Sequence, residues 1–151
     1  MKPALHQVRS GPPIDALVNF FETLVPECVV QIDQFYAGNA RFKDPFNDVK
    51  GTAEIQKIFH HMFTSLTNPR FVVIRRIVEG NQCFLSWEFH FCFRGFRPNV
   101  EQVVLGASHL VFDDEGLITQ HRDYWDAAEE LYEKLPVIGI LMRWLKRRAK
   151  P

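Results

Sequence analysis

The chain has 151 residues with eighteen basic and eighteen acidic side chains, and 46% of it is hydrophobic, including fourteen phenylalanines. This length predicts a single globular domain with enough apolar mass to fill a core and line a cavity. The balanced charge creates no field that would attract nucleic acid, and the sequence has no nucleic-acid-binding motif. Nucleic acid is therefore excluded as an expected partner.

The N-terminal residues, the apolar segments and the cysteines indicate the expected cellular compartment. Residues 1–12 are polar and lack the apolar centre of a signal peptide, and no segment has the roughly 18 consecutive apolar residues of a membrane span. We expect a flexible tail over 1–12 and a cytoplasmic protein. Cys28, Cys83 and Cys92 form no CxxC pair, which favours reduced structural thiols over a disulfide framework.

Apolar residues recur at helical spacing in the first half of the chain. One helix is predicted ahead of Pro26, which opens a second helix with Tyr36 on its apolar face, and a third is predicted over 52–66. His60 and His61 fall off the apolar stripe of the third helix. Because adjacent helical residues point about 100° apart, these histidines are predicted to lie on the solvated surface and not at a metal site.

From Arg70 the apolar period changes from helical to alternating, which indicates strands. The predicted inner face of the clearest strand carries Cys83, Leu85, Trp87, Phe89, Phe91 and Phe93. Further strands are predicted over 100–112 and 117–125, giving three or four antiparallel strands in an α+β unit. Helices closing the aromatic concave face of such a sheet would leave a cavity for an apolar ligand, although the same aromatics could simply fill a core.

Asp44 lies between aromatic residues at the end of a short extended segment that starts near Tyr36. A carboxylate in apolar surroundings is a stronger base than one in water, so Asp44 is a candidate general base. An Asp before a proline, here Pro45, is also a favoured turn residue. A carboxylate bound by the backbone amides of its own turn would be structural.

Three short motifs occur in an informative order. They are Tyr36-Ala37 leading to Asp44-Pro45-Phe46, Gly51 with Ile55 after it, and Phe112-Asp113-Asp114-Glu115-Gly116 with Tyr124-Trp125 after it. In this order they resemble the SnoaL-like and ketosteroid isomerase-like branch of the nuclear transport factor 2-like superfamily, over about residues 14–126. The resemblance implies a cone-shaped α+β fold with N-terminal helices on the concave face of a curved, mainly antiparallel sheet. It also implies a homodimer through the outer sheet face.

The resemblance assigns functional positions one at a time. Asp44 falls at the position of the isomerase base, whose oxyanion donors in that family are a Tyr and a protonated Asp. Those two positions carry Phe20 and Ser108 here. Because loss of one oxyanion donor costs ~10²–10³ in rate, steroid isomerisation by the family's chemistry is not expected. The residues expected to shape the ligand pocket are Phe20, Tyr36, Phe59, Trp87, Phe89 and Trp125.

His121, Asp123 and Trp125 alternate along the last predicted strand and so share a face, which the resemblance makes the inner one. An imidazole beside a carboxylate is held in one tautomer and can act as an oriented acid and base pair. The pair could instead only stabilise the sheet. A metal site shared with Asp44 would lack a clear fourth ligand, so no metal is expected.

Residues 13–135 are predicted to form the SnoaL-like domain, and residues 136–151 a basic amphipathic helix. This helix could lie on an anionic membrane surface, cover the cavity as a lid, or pack on the protein or at a dimer interface.

Two functions remain open from the sequence. The first is an isomerase, cyclase or epoxide hydrolase-like enzyme for a small hydrophobic molecule, with Asp44 as base, His121 and Asp123 as the oriented pair, and Ser108 as a donor. The second is a non-catalytic protein that binds a hydrophobic ligand and docks on a membrane or partner through its last helix. No organic cofactor is expected, because no Gly-rich loop that would hold a phosphate is present.

Overall fold

The computed structural model describes residues 12–95 and 97–149, with the backbone alone at residues 134, 136 and 137. The tail expected over residues 1–12 lies outside the described residues except at its last position. In chain order the elements are α1 (Ile14–Glu22), a first 3₁₀ helix (Pro26–Gln34), β1 (Tyr36–Lys43), β2 (Asp48–Lys50), α2 (Thr52–Ser65), β3 (Leu66–Glu79), β4 (Gln82–Phe93), β5 (Gln102–Phe112), β6 (Ile118–Tyr124), α3 (Ala127–Glu130), a second 3₁₀ helix (Tyr132–Lys134) and α4 (Pro136–Ala149).

The strands form one curved, open sheet in the order β2-β1-β6-β5-β4-β3. All neighbouring strands are antiparallel except β1 and β6, which run parallel with Phe42 opposite His121. The predicted α+β class with helices on the concave face is thus confirmed. The sequence predicted only three or four strands, because the pairing of β1 with β6 joins segments that are far apart in the chain.

Burial follows the predicted alternation along β4. Cys83, Leu85 and Trp87 are buried while Phe84 between them is exposed. Helices α1 and α2 cover the inner face with buried Leu17, Phe20, Phe21, Ile55 and Phe59. The sheet therefore has one face against the helices and one face outward.

Gly106 on β5 lies opposite Trp87 on β4 and makes room for its ring. A Cβ at Gly106 would overlap three carbon atoms of the Trp87 indole. The absent side chain therefore lets the indole lie against the sheet, where its Nε1 reaches Ser108 Oγ.

Two predicted boundaries were wrong. The second helix is a 3₁₀ helix that ends at Gln34, and Tyr36 begins β1 instead of lying on a helical face. Strand β3 begins at Leu66, ahead of the predicted change at Arg70. Its register shifts around Asn68, whose φ is 50°, and this bulge interrupts the alternation that would have revealed the start of the strand.

The outer face of the sheet exposes several large apolar side chains. They include Val72, Ile74, Ile77, Phe84 and Leu105. The homodimer implied by the resemblance stays a prediction. The three cysteines are free, with Cys83 buried and Cys28 and Cys92 partly buried; burial raises the pKa of the Cys83 thiol.

Candidate functional site

A cavity of about 410 Å³ lies between the concave face of the sheet and the covering helices. Its apolar lining consists of Phe21, Phe42, Phe46, Ile58, Phe59, Met62, Leu66, Phe71, Val73, Leu85, Trp87, Phe89, Phe91, Phe93, Val104, Trp125 and Leu131. Its polar lining consists of Asp44, Asn47, His61, Ser65, Ser108, His121 and Asp123. An apolar cavity of this size with a few polar groups is the usual form of a small-molecule site.

Most of the residues predicted from the sequence line this cavity. They are Asp44, Ser108, His121, Asp123, Phe59, Trp87, Phe89 and Trp125. Phe20 and Tyr36 are not among the lining residues, so the structure does not place them as ligand contacts. Phe20 has no hydroxyl and stacks on Phe35 with ring centroids 4.5 Å apart. Tyr36 is 1% exposed and lies next to His121, where its hydroxyl group is already bonded.

Four hydrogen bonds link five side chains into what we call the polar chain: Tyr36, His121, Asp123, Ser108 and Trp87. Tyr36 Oη lies 2.6 Å from His121 Nδ1, and His121 Nε2 lies 2.7 Å from Asp123 Oδ1. Ser108 Oγ donates to the same Asp123 oxygen at 2.5 Å, and Trp87 Nε1 donates to Ser108 Oγ at 2.9 Å. The polar chain therefore crosses four strands along the cavity wall.

The sheet register brings these groups together. On β6, His121 and Asp123 are two residues apart and share a face, as predicted. Asp123 is paired with Ser108 on β5, and β1 runs beside β6 so that Tyr36 reaches the imidazole. The ring of Phe42 packs edge-on against His121 at 4.7 Å between centroids, which holds the imidazole in place.

The donors and acceptors of the polar chain define its proton positions. A carboxylate only accepts hydrogen bonds, so with Asp123 ionised His121 Nε2 must carry a proton. A neutral imidazole then accepts at Nδ1, and the hydroxyl of Tyr36 donates to it. Both donors to Asp123 use Oδ1, which leaves Oδ2 free of them. The second carboxylate oxygen of Asp123 is therefore the one available to a ligand.

Asp44 lines the cavity but is held by its own turn. Its Oδ1 accepts from the backbone amides of Phe46 and Asn47 at 2.7 and 2.6 Å, and the Asn47 side-chain amide donates to both carboxylate oxygens at 3.0 Å. Arg41 and Asp48 clamp the two ends of the same loop with bonds of 2.8 and 2.7 Å. This geometry corresponds to the structural role that the Asp-Pro sequence allowed, and it does not support Asp44 as the base.

The site has two features that the sequence did not predict. His61 is exposed, as predicted, but it also lines the cavity, and its Nε2 lies 3.2 Å from Ser65 Oγ. Its position three residues after Ile58, on the edge of the apolar stripe, was the available signal. Tyr36, which the resemblance predicts to shape the pocket, is the buried end of the polar chain. Across the ranges 12–95 and 97–149, no group of three or more His, Cys, Asp or Glu side chains is placed to hold a metal ion.

Alkaline unfolding provides a test of the buried end of the polar chain. Burial, and then the charge of Asp123, raise the pKa of the Tyr36 hydroxyl well above its ordinary 10.0. Above pH 10 the unfolded chain loses this proton while the native protein keeps it. The contribution of the Tyr36 hydroxyl to the free energy of unfolding is therefore complete below pH 10 and is lost as the pH rises. We expect the wild type to lose about 1.4 kcal/mol more per pH unit than Tyr36→Phe in this range.

The measurement is urea unfolding at a series of alkaline pH values. Tyr124→Phe is the matched control, because its ring is 48% exposed. The same alkaline slope in Tyr36→Phe and the wild type would contradict the assignment.

No curated protein matches the chain. A protein of ketosteroid isomerase-like fold from Catenulispora acidiphila, solved with trimethylamine, has a TM-score of 0.67 at 14% identity, covering 81% of this chain and 92% of its own. An LEH-like epoxide hydrolase from M. tuberculosis has a TM-score of 0.63 at 15% identity, covering 88% of this chain and 92% of its own.

A protein from Jannaschia sp. CCS1, proposed to be a SnoaL-like polyketide cyclase, has a TM-score of 0.64 at 15% identity and covers 91% of this chain and 92% of its own. At these identities the likeness is one of fold. The sequence profile of the SnoaL-like domain family matches residues 17–121, which is more than half of the chain. The chain therefore belongs to the SnoaL-like domain family, within the nuclear transport factor 2-like fold.

Proposed function

We propose that this protein binds a small hydrophobic molecule in the cavity and transfers a proton on it, with Asp123 as the base. One observation carries the proposal: a carboxylate with a side chain only 15% exposed lies in a largely apolar cavity, with both of its donors on one oxygen. The second oxygen is left to meet the ligand. A carboxylate oxygen that faces a bound ligand and has no donor of its own can accept a proton from that ligand.

The polar chain gives each residue a role in such a transfer. Asp123 accepts a proton from a carbon or from water at Oδ2 while Ser108 and His121 keep donating to Oδ1, and it then returns the proton to another atom of the ligand. Tyr36 fixes the imidazole tautomer from the buried side. Isomerisation, ring closure and addition of water all use a transfer of this kind. Solved neighbours named as an epoxide hydrolase and as a proposed cyclase and isomerase support this range of reactions.

A second candidate is binding without catalysis. Among the side chains that the structure describes, no buried nitrogen or oxygen lacks a hydrogen-bond partner. A polar chain whose groups already satisfy one another can serve stability alone. In this case the cavity would hold the ligand and Asp123 would only orient it.

Ligand binding is tested with two neighbouring valines on β3. Val73 lines the cavity, whereas Val72 is not among the lining residues and is 36% exposed. Val73→Trp fills part of the cavity, so we expect it to weaken binding of the apolar dye Nile red by about tenfold or more. Val72→Trp, the matched control, should bind the dye like the wild type.

The readout is dye fluorescence titrated against each protein, with circular dichroism to verify that the fold is kept. Equal affinities for the two tryptophan variants would place the dye outside the cavity and contradict the proposed binding site.

A further inference from the structure

Helix α4 turns a polar side toward its own protein. Arg143 Nη1 donates to the carbonyl oxygen of Glu133 at 2.7 Å, and Lys146 Nζ pairs with Glu129 Oε2 at 2.9 Å. Gly139, on the same side of the helix, lies so close that a Cβ there would overlap the Glu133 carbonyl group. These contacts determine which side of α4 faces the rest of the chain.

The apolar side of α4 faces outward as a result. We call its five large side chains the apolar arc. They are Ile138, Ile140, Leu141, Trp144 and Leu145, and each is 44–63% exposed. A surface helix normally buries its apolar stripe against its own domain and exposes its charges. The reversed orientation leaves a contiguous apolar surface that needs an occupant outside this fold.

The charges of α4 indicate which occupant fits. Its sequence from Pro136 to Ala149 contains four basic residues and no acidic one. Arg147 and Arg148 are exposed near the end of the apolar arc, and the Arg148 guanidinium lies 4.7 Å from the ring centroid of Trp144. Exposed leucine and isoleucine with tryptophan and arginine beside them match the boundary between acyl chains and anionic headgroups.

Two other occupants fit less well. A second copy of the helix would bring a second Arg147 and Arg148 to the same surface, with no acidic residue in α4 to pair with them. Folding over the cavity would require α4 to give up its contacts with Glu129 and Glu133.

We propose that α4 is a peripheral anchor that lies on an anionic membrane surface, with the apolar arc among the acyl chains and Arg147 and Arg148 at the headgroups. A basic amphipathic helix of this kind lies in the plane of the interface. No helix in the described part of the chain is long and apolar enough to cross a bilayer. The anchor does not depend on any chemistry in the cavity.

The position of α4 connects the anchor to the cavity wall. A role of the anchor in ligand entry rests on the proposed function. The 3₁₀ helix that α4 contacts carries Tyr132, whose ring lies 6.3 Å from that of Phe46. Phe46 and Leu131 both line the cavity. An anchored α4 would hold this part of the cavity wall near the bilayer, where a hydrophobic ligand is dissolved.

The experiment is flotation of the full chain with vesicles, without any cavity ligand. We expect binding to vesicles of phosphatidylcholine with phosphatidylserine and little binding to phosphatidylcholine alone. The double variant Arg147→Ser/Arg148→Ser should lower the partition coefficient by about thirtyfold. Leu141→Glu/Leu145→Glu should abolish flotation, because it places charges in the apolar arc.

Val30→Glu is the matched control, since Val30 is 62% exposed on the first 3₁₀ helix, outside the anchor. It should float like the wild type. Flotation of the leucine variant at the wild-type level, or no binding of the wild type to anionic vesicles, would overturn the anchor. A lower molecular mass of the leucine variant in light scattering without vesicles would also overturn it, in favour of a second copy.

Discussion

Asp123→Asn is expected to lower the rate at which the protein opens the ring of nitrobenzisoxazole by about 10²–10⁴-fold. This apolar probe loses one carbon-bound proton to a base and then forms a coloured phenolate. Asparagine keeps the size of Asp123 and can still accept from Ser108 and His121, so the change removes the basic oxygen and little else. The measurement is kcat/KM from the absorbance of the product.

Asp44→Asn is the comparison variant, since the carboxylate of Asp44 already accepts bonds from Phe46 and Asn47. It should change the rate far less than Asp123→Asn. A large loss of rate in Asp44→Asn with a small loss of rate in Asp123→Asn would identify Asp44 as the base. Equal rates for the wild type and Asp123→Asn would favour binding without catalysis.

His121→Leu is expected to lower the free energy of unfolding by about 2–5 kcal/mol. The imidazole is 4% exposed and supports two other groups. Without it the buried hydroxyl of Tyr36 loses its acceptor, and the carboxylate of Asp123 keeps only the Ser108 donor. A buried polar group without a partner costs more free energy than the hydrogen bond that it lost. The destabilisation should therefore exceed that of a simple loss of packing.

Urea unfolding at neutral pH measures the difference, with His60→Leu as the control because His60 is exposed on α2. The control should differ from the wild type by no more than about 0.5 kcal/mol. A His121→Leu variant as stable as the control would show that the polar chain contributes nothing to the fold.

Much of the architecture follows from local periodicity. The alternation along β4 predicted which of its side chains are buried. The structure buries Cys83, Leu85 and Trp87 as predicted. The same period of two placed His121 and Asp123 on one face before any partner was known. These predictions succeed because the side-chain direction in a strand is determined by the backbone alone.

At Asp44 the local sequence is compatible with two roles. Its sequence neighbours are aromatic, which suggested a carboxylate in apolar surroundings, and its next residue is a proline, which suggested a turn. Both descriptions are correct, since Asp44 lines the cavity and also caps its turn. The balance between them depends on the hydrogen bonds of Asn47, which no period or propensity specifies.

The sequence by itself determined the fold class, the family resemblance and the inner face of β6. Only the tertiary structure decided which groups from different strands meet. Tyr36 and His121 are 85 positions apart and come together because β1 pairs in parallel with β6. Parallel pairing of this kind joins strands that lie far apart in the chain. Which segments pair therefore depends on the packing of the whole core. Hence most residues that line the cavity and the His121–Asp123 pair were predictable, whereas the hydrogen bonds that join different strands were not.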